Sequence, residues 1–380
     1  MKMLVLGAGL QGCACAYDLL RNPAVTAVTL ADLHPDRLPA FLAGAGARLQ
    51  PARLDVTDQA AVRTVMQGQT AVMSALPYYL NGPMARLAVE AGAHFADLGG
   101  NTEIVFEQKK LQEAAVARGV SVIPDCGLAP GMVNILAAEG IRRVEKPARV
   151  RIFVGGLPQH PEPPLNYQIV YSLEGALDYY TTPSWVLRGG KPTQVDALSE
   201  LEDVEFPAPV GTLEAFHTGG GISTMPFAWQ GKIDVMEYKT LRYPGHVAIV
   251  RPIRELGLLD LEPITVKGQT VVPRDVFVAA VGPKLTKKGK DLLALRVTVR
   301  GTKGGKQAER RFDLVDRYDE VHGISAMMRT TGYSLSITGQ MQVRGEVGPP
   351  GVWTPDECMP AEAYIGELRK RGIELRETVS

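Results

Sequence analysis

The chain has 380 residues, 45% of them hydrophobic, and its 41 Lys plus Arg balance 41 Asp plus Glu. Zero formal charge excludes the electrostatic footprint of a general nucleic-acid binder. The length provides for two domains or one large one, and no stretch approaches the roughly 18 consecutive apolar residues that span a bilayer.

From the start, residues 3–6 form an apolar run that ends in Gly7-Ala8-Gly9-Leu10-Gln11-Gly12, followed by the helix-compatible 14–20. This opening is unlike a signal peptide, so the expected location is the cytoplasm. Gly-x-Gly-x-x-Gly is a weak signal alone, but here it lies between a strand and a helix. Gly7 permits the tight turn, Gly9 lets backbone approach a pyrophosphate, and Gly12 allows close helix packing. The helix N-terminus, with Leu10 and Gln11, then faces the phosphate charge. A second strand, 27–32, ends in Asp32, 20 residues after the last glycine. An acid there bonds the ribose hydroxyls and repels a 2′-phosphate, which points to NAD as cofactor.

The alternation continues. Strands are expected at 49–54, 70–76, 94–98 and 120–124, and helices at 59–66, 83–91 and 103–118, with Thr57 or Asp58 capping the first of these. Strands joined by helices make a doubly wound parallel sheet, an N-terminal Rossmann unit. Ligands collect at the carboxyl ends of such strands. Asp55-Val56, Ala75-Leu76-Pro77, Asp97-Leu98-Gly99-Gly100 and Asp125-Cys126-Gly127 therefore point into one crevice. Asp97 is either a proton acceptor or the cap of the next turn. Pro130 is read as the first residue of a helix over 131–143.

From about 148 the pattern becomes antiparallel, with clean alternation at 149–154 and 295–300. An α+β unit with a mixed or antiparallel sheet is expected here. Ser172 caps a helix over 173–180. Glu214-Ala215-Phe216-His217-Thr218 runs into Gly219-Gly220-Gly221, whose backbone entropy cost calls for either a close ligand or a surface bend. Arg242, before Tyr243, has the two-pronged geometry that suits a carboxylate. Residues 284–311 hold ten basic and two acidic side chains; with no aromatic residues interleaved, a solvated hairpin is the better reading. A last helix is expected over 361–371. The four cysteines are too irregularly spaced for a disulfide framework, and the six histidines lack zinc-site spacing, so no metal is expected.

These segments together resemble the saccharopine dehydrogenase-like family. The marks are Val5-Leu6-Gly7-Ala8-Gly9-Leu10, Asp97-Leu98-Gly99-Gly100, Ile123-Pro124-Asp125, Gly127-Leu128-Ala129-Pro130-Gly131-Met132, Pro161-Glu162-Pro163-Pro164-Leu165, Ser172-Leu173-Glu174-Gly175, Glu214-Ala215-Phe216-His217-Thr218 and Lys239-Thr240-Leu241-Arg242-Tyr243. Saccharopine reductases and carboxynorspermidine dehydrogenases carry Gly-x-Asp-Pro-Gly where this chain has Ala129 in place of the acid. That departure matches the lysine dehydrogenase branch. The resemblance implies a dinucleotide domain over 1–128 completed by 325–380, a substrate and oligomerisation domain over 129–324, and a homodimer or larger assembly.

The activity so implied is NAD-dependent oxidative deamination of the ε-amine of a basic amino acid, L-lysine. Lysine arrives protonated, with a reference pKa near 10.4, so a base must free the lone pair. Asp97 is the first candidate, with Asp125 or His217 as alternatives. Arg242 is the candidate for the α-carboxylate, Glu174 or Glu214 for the α-ammonium, and Tyr243 and Thr218 as further substrate contacts. The competing readings are an amine–aldehyde oxidoreductase of saccharopine or carboxynorspermidine type using NADP(H), and an NAD-binding redox sensor without chemistry.

Overall fold

The computed structural model describes residues 1–380 apart from 171, 287 and 288, so Lys287 and Lys288 of the basic stretch lie outside the described residues. Six parallel strands follow the Rossmann order: β1 (Lys2–Leu6), β2 (Ala27–Asp32), β3 (Leu49–Arg53), β4 (Ala71–Ser74), β5 (His94–Asp97) and β6 (Ser121–Ile123) lie as β3-β2-β1-β4-β5-β6. Leu4, Val5 and Leu6 are buried on both faces, as a central parallel strand between helix layers must be. Asp58 accepts from the N–H groups of Ala60 and Ala61 and caps the helix Gln59–Met66. The helix expected over 103–118 is two, Thr102–Lys109 and Gln112–Arg118. Gln108 on the first is drawn in to Asp97, and Gln112 on the second holds the backbone of Val352.

The second sheet is mixed. Its centre is β7 (Arg149–Pro158), and its further strands are β8 (Ser184–Arg188), β9 (Lys191–Val195), β10 (Glu202–Phe206), β11 (Gly211–His217) and β12 (Val235–Arg242). A small separate hairpin, β13 (Ile264–Val266) with β14 (Gln269–Val271), precedes β15 (Asp291–Lys303) and β16 (Lys306–Arg317). β7 pairs parallel with β12 and antiparallel with β15. The β15–β16 turn is Gly304-Gly305, both at positive φ, as a two-residue hairpin of this hand requires.

Val150, Ile152 and Val154 of β7 and Leu293, Leu295, Val297 and Val299 of β15 face inward and join the residues of β1 and β2 in one continuous core. Two helices fill the space between the sheets, Met132–Arg142 and the almost wholly buried Ala326–Val343. The first starts at Met132, with Gly131 as its N-cap, so Pro130 lies ahead of it. The second crosses the helix Leu10–Arg21 so closely that a Cβ at Gly332 would lie 2.6 Å from the Gln11 carbonyl oxygen.

The segment after 325 serves both sheets. Gly351–Val352 (β17) extends the first beside β6, but Arg376–Val379 (β18) pairs with β16 in the second. Among the described residues no helix is long and apolar enough to cross a membrane.

Candidate active site

At the end of β1 the chain turns at Gly7, φ +91°, and a Cβ at Gly12 would stand 1.8 Å from the Gly7 carbonyl oxygen. Gly9 has nothing within 4 Å of its Cβ position, leaving open space before the helix N-terminus. Asp32 closes this mouth: its carboxylate accepts from the Ala8 N–H at 2.7 Å and the His34 N–H at 2.9 Å. The side-chain amide atoms of Gln11 are buried without a partner, an unusual cost that a bound polar group would offset. Ala75 and Leu76 pack on Gly7, while the exposed Asp55 is tied to Thr57, which holds its carboxyl below the usual range. Val56 and Pro77 each follow the carboxyl end of a strand, three residues after β3 and β4 respectively. A cradle open at Gly9, with an acid at the end of β2 and an orphaned amide, fits a dinucleotide.

A cavity of about 190 Å³ continues from Gln11, Leu98 and Gly99 to the inner face of the second sheet. Gly127 to Pro130 form one wall, Tyr238, Thr240 and Arg242 of β12 another, and Tyr179, Gly219 and Gly221 a third. The glycine run is explained here. A Cβ at Gly221 would lie 2.2 Å from the Tyr238 ring, and one at Gly220 would lie 2.8 Å from both the Tyr179 ring and the Gly100 carbonyl oxygen. Only glycine passes between those rings.

Arg242 is the one charged side chain on the cavity wall among the described residues. It is buried, its Nε donates to the Tyr180 hydroxyl at 3.1 Å, and its guanidinium lies over the Tyr167 ring at 4.8 Å. Thr218 meets Thr240 at 2.8 Å, just behind the wall. Burial pushes the phenols of Tyr179 and Tyr238 up, so both stay protonated as hydrogen-bonding groups.

The other candidate residues lie elsewhere. Asp97 is fully buried behind the Gly99-Gly100 turn and accepts from Gly99 N–H (2.7 Å), Asp125 N–H (3.3 Å) and Gln108 Nε2 (2.6 Å). Burial pushes its carboxyl up to about 6. Asp125 accepts from Gly100 N–H at 3.2 Å and its second oxygen faces the Ser223 hydroxyl; burial, opposed by Ser223 and reinforced by Asp97, pushes it up to about 7. Neither carboxyl is on the cavity wall.

His217 lies on the opposite face of the sheet, between the Tyr238 carbonyl (3.1 Å) and Glu200 (3.0 Å). Burial pulls its imidazole below the usual value. Glu200, His217 and Glu237 bring their ligand-type atoms within 4.8 Å of one another, yet Arg188 bridges both carboxylates at 2.8 and 2.7 Å. The guanidinium already supplies the cation, and the group is an ion-pair network.

Glu214 caps the helix His246–Glu255 by accepting from Gly245 and Val247 N–H at 2.9 and 2.7 Å. Glu174 is exposed in the first turn of Leu173–Thr181 and accepts from Ser172. Tyr243 donates to the Pro158 carbonyl outside the cavity. For Tyr243 the reason is strand alternation: 238, 240 and 242 share one face of β12, whereas 237, 239 and 241 share the other, which Tyr243 continues just past the strand's end. The same count, run backward from Arg242, would have found Tyr238 and Thr240 in the sequence; nothing local signals Tyr179, Met327 or Thr331.

Two family models cover nearly the whole chain: the saccharopine dehydrogenase NADP binding domain over residues 3–123 and the saccharopine dehydrogenase C-terminal domain over 127–373. The chain is 21% identical to the NADP(+)-dependent, L-glutamate-forming saccharopine dehydrogenase of Schizosaccharomyces pombe, covering 100% of this chain and 99% of that one. It is 24% identical to the mitochondrial alpha-aminoadipic semialdehyde synthase of Mus musculus over 93% of its own length, and spans 45% of that larger protein. The apo saccharopine dehydrogenase of Saccharomyces cerevisiae has the same fold, with a TM-score of 0.81 at 21% identity over 100% of this chain and 99% of that one. With its glycine cradle, its second-sheet cavity and both family domains in order, the chain belongs to the saccharopine dehydrogenase family of oxidoreductases.

Proposed function

We propose that the chain is an NAD-dependent dehydrogenase that oxidises the ε-amine of L-lysine to an imine, which water converts to ammonia and 2-amino-6-oxohexanoate, and this aldehyde closes on its own α-amine as a cyclic imine with loss of water. The carrying observation is the charge of the cavity: one guanidinium, Arg242, and no carboxylate side chain on its wall among the described residues. One guanidinium matches one carboxylate. The glutamate named as product of the yeast relatives carries two, and among the described residues this wall offers no second cation for it.

A partly desolvated pocket whose one charged side chain among the described residues is a guanidinium also disfavours an ammonium and favours the neutral amine. Loss of hydride from Cε requires that neutral form, so the pocket supplies by desolvation part of what a base would supply. When bound, NAD accepts the hydride. Arg242 holds the carboxylate, and the hydroxyls of Tyr179, Tyr238 and Thr240 are the groups available to orient the amine. We assign Asp97 and Asp125 to holding the Gly99-Gly100 turn, and not to proton abstraction.

Asp32 supports NAD over NADP, because its carboxylate occupies the loop mouth that a 2′-phosphate would approach. The relatives named for NADP(+) make the cofactor the sharpest test. Purified protein is offered NAD or NADP with lysine, ornithine, cadaverine or saccharopine, and the reduced cofactor is read by absorbance. Lysine with NAD is expected to give the highest kcat/KM; saccharopine turning over with NADP in its place overturns the proposal. Asp32→Asn is expected to lower the NAD-to-NADP preference about 10-fold or more, since about 1.4 kcal/mol of relieved repulsion suffices.

A further inference from the structure

The Arg242 guanidinium is held at Nη1 by the adjacent Leu241 carbonyl at 2.8 Å and at Nε by a buried chain of groups. Its Nε–H donates to the Tyr180 hydroxyl at 3.1 Å, the Tyr180 oxygen lies 3.1 Å from His246 Nε2, and His246 Nδ1 lies 3.2 Å from the Leu165 carbonyl oxygen. All three side chains are buried. The donors are dictated by chemistry: arginine Nε only donates and a carbonyl only accepts. In the neutral-imidazole arrangement the Tyr180 oxygen accepts a hydrogen bond from Arg242 and its hydroxyl donates one to His246 Nε2, while His246 carries its proton on Nδ1. The Leu165 carbonyl requires the proton on Nδ1, and with the imidazole neutral Nε2 is the acceptor for the Tyr180 hydroxyl.

Packing holds the same arrangement. The His246 ring is stacked on Phe216 at 6.3 Å with 8° between planes, and the edge of Tyr167 meets it at 5.6 Å while the face of Tyr167 lies under the guanidinium. Burial, with Arg242 beside it, pulls the His246 imidazole down to about 3, in keeping with the neutral form.

We infer that Tyr180 and His246 are positioning residues that set the guanidinium plane of Arg242 and thereby select amines that carry a carboxylate. The inference rests on the reading of Arg242 as the carboxylate-binding group. A fork aimed in one plane recognises a carboxylate through two parallel bonds; a guanidinium that has lost its Nε contact can tilt out of that plane and weaken the second bond.

The test uses three variants: Tyr180→Phe, which removes only the hydroxyl; His246→Phe, which keeps a ring against Phe216; and His246→Gln, which keeps an acceptor near the position of Nε2. Each is assayed with lysine and with cadaverine, which is lysine without its carboxylate. In Tyr180→Phe and His246→Phe the preference for lysine over cadaverine is expected to fall about 10-fold, through KM for lysine, with kcat for both amines within about twofold. His246→Gln should recover most of that preference. Equal losses on both amines, or no loss, overturn the inference while leaving the dehydrogenase reading intact.

Should wild-type protein oxidise no amine, that reading falls and the inference is judged on the imidazole alone. Nitrogen-15 NMR near neutral pH, assigned by the signal missing from His246→Gln, is expected to show the Nδ1–H tautomer. An Nε2–H tautomer or an imidazolium overturns it.

Discussion

Replacing Arg242 with methionine is expected to lower kcat/KM for lysine by about 10²-fold, with the loss in KM. A bond to a charged group contributes about 1.5–3 kcal/mol, and a two-pronged contact holds two of them, so ~10²-fold is the lower part of the range. Methionine refills most of the volume, and Tyr180 keeps His246 as an acceptor, so the fold should survive, with a melting temperature within a few degrees of wild type. Cadaverine provides the internal control: an amine with no carboxylate gains nothing from a cation on the wall, and its turnover should hold or rise. Equal losses on lysine and cadaverine would remove Arg242 from carboxylate recognition.

Replacing Asp125 with asparagine is expected to stabilise the protein at pH 8 and to change little near pH 4–5. The folded carboxyl is pushed up to about 7, against about 3.9 in an unfolded chain. Between those values the native state binds the proton more tightly than the unfolded state, so this group's contribution to stability falls as pH rises from about 4 to about 7. At 1.36 kcal/mol per unit the full penalty is on the order of 4 kcal/mol. Asparagine never ionises and so never incurs that cost. Its oxygen can keep the Gly100 N–H, and the Ser223 hydroxyl stands beside the other position. Thermal melts of both proteins at pH 5 and pH 8 check the sign; a variant no more stable than wild type at pH 8 contradicts it. Retained turnover in the same variant would also place proton abstraction elsewhere.

Local chemistry made much of this molecule legible. The Asp58 cap, the strained Gly7 turn and the Ser172 cap each depend on residues within a few positions of one another, and the chain alone shows them. The sign of the second sheet was not readable, because β7 meets its parallel partner β12 some eighty residues later and its antiparallel partner β15 later still. Polar residues beside glycine turns were the least readable. Asp97, Glu214 and His217 have the composition of a catalytic site, but what each does depends on partners distant in sequence: Gln108 and Asp125, the amides after Tyr243, and Glu200 with the Tyr238 carbonyl. Arg242 was identifiable by its type; the Tyr180 and His246 that aim it were not, since they lie 62 residues before it and four after, on separate helices.

The double service of the segment after 325 bears on the order of assembly. β17 closes the first sheet and β18 the second, so while the chain emerges from the ribosome the outer edges of β6 and β16 stay unpaired until residues 351–379 have been made. Unpaired edges are where neighbouring chains join in error. The long helix that seats Met327 and Thr331 at the cavity also arrives late. The binding cleft therefore forms late among the described elements, and a nascent chain can hold substrate only once synthesis has passed the helix that carries Met327 and Thr331.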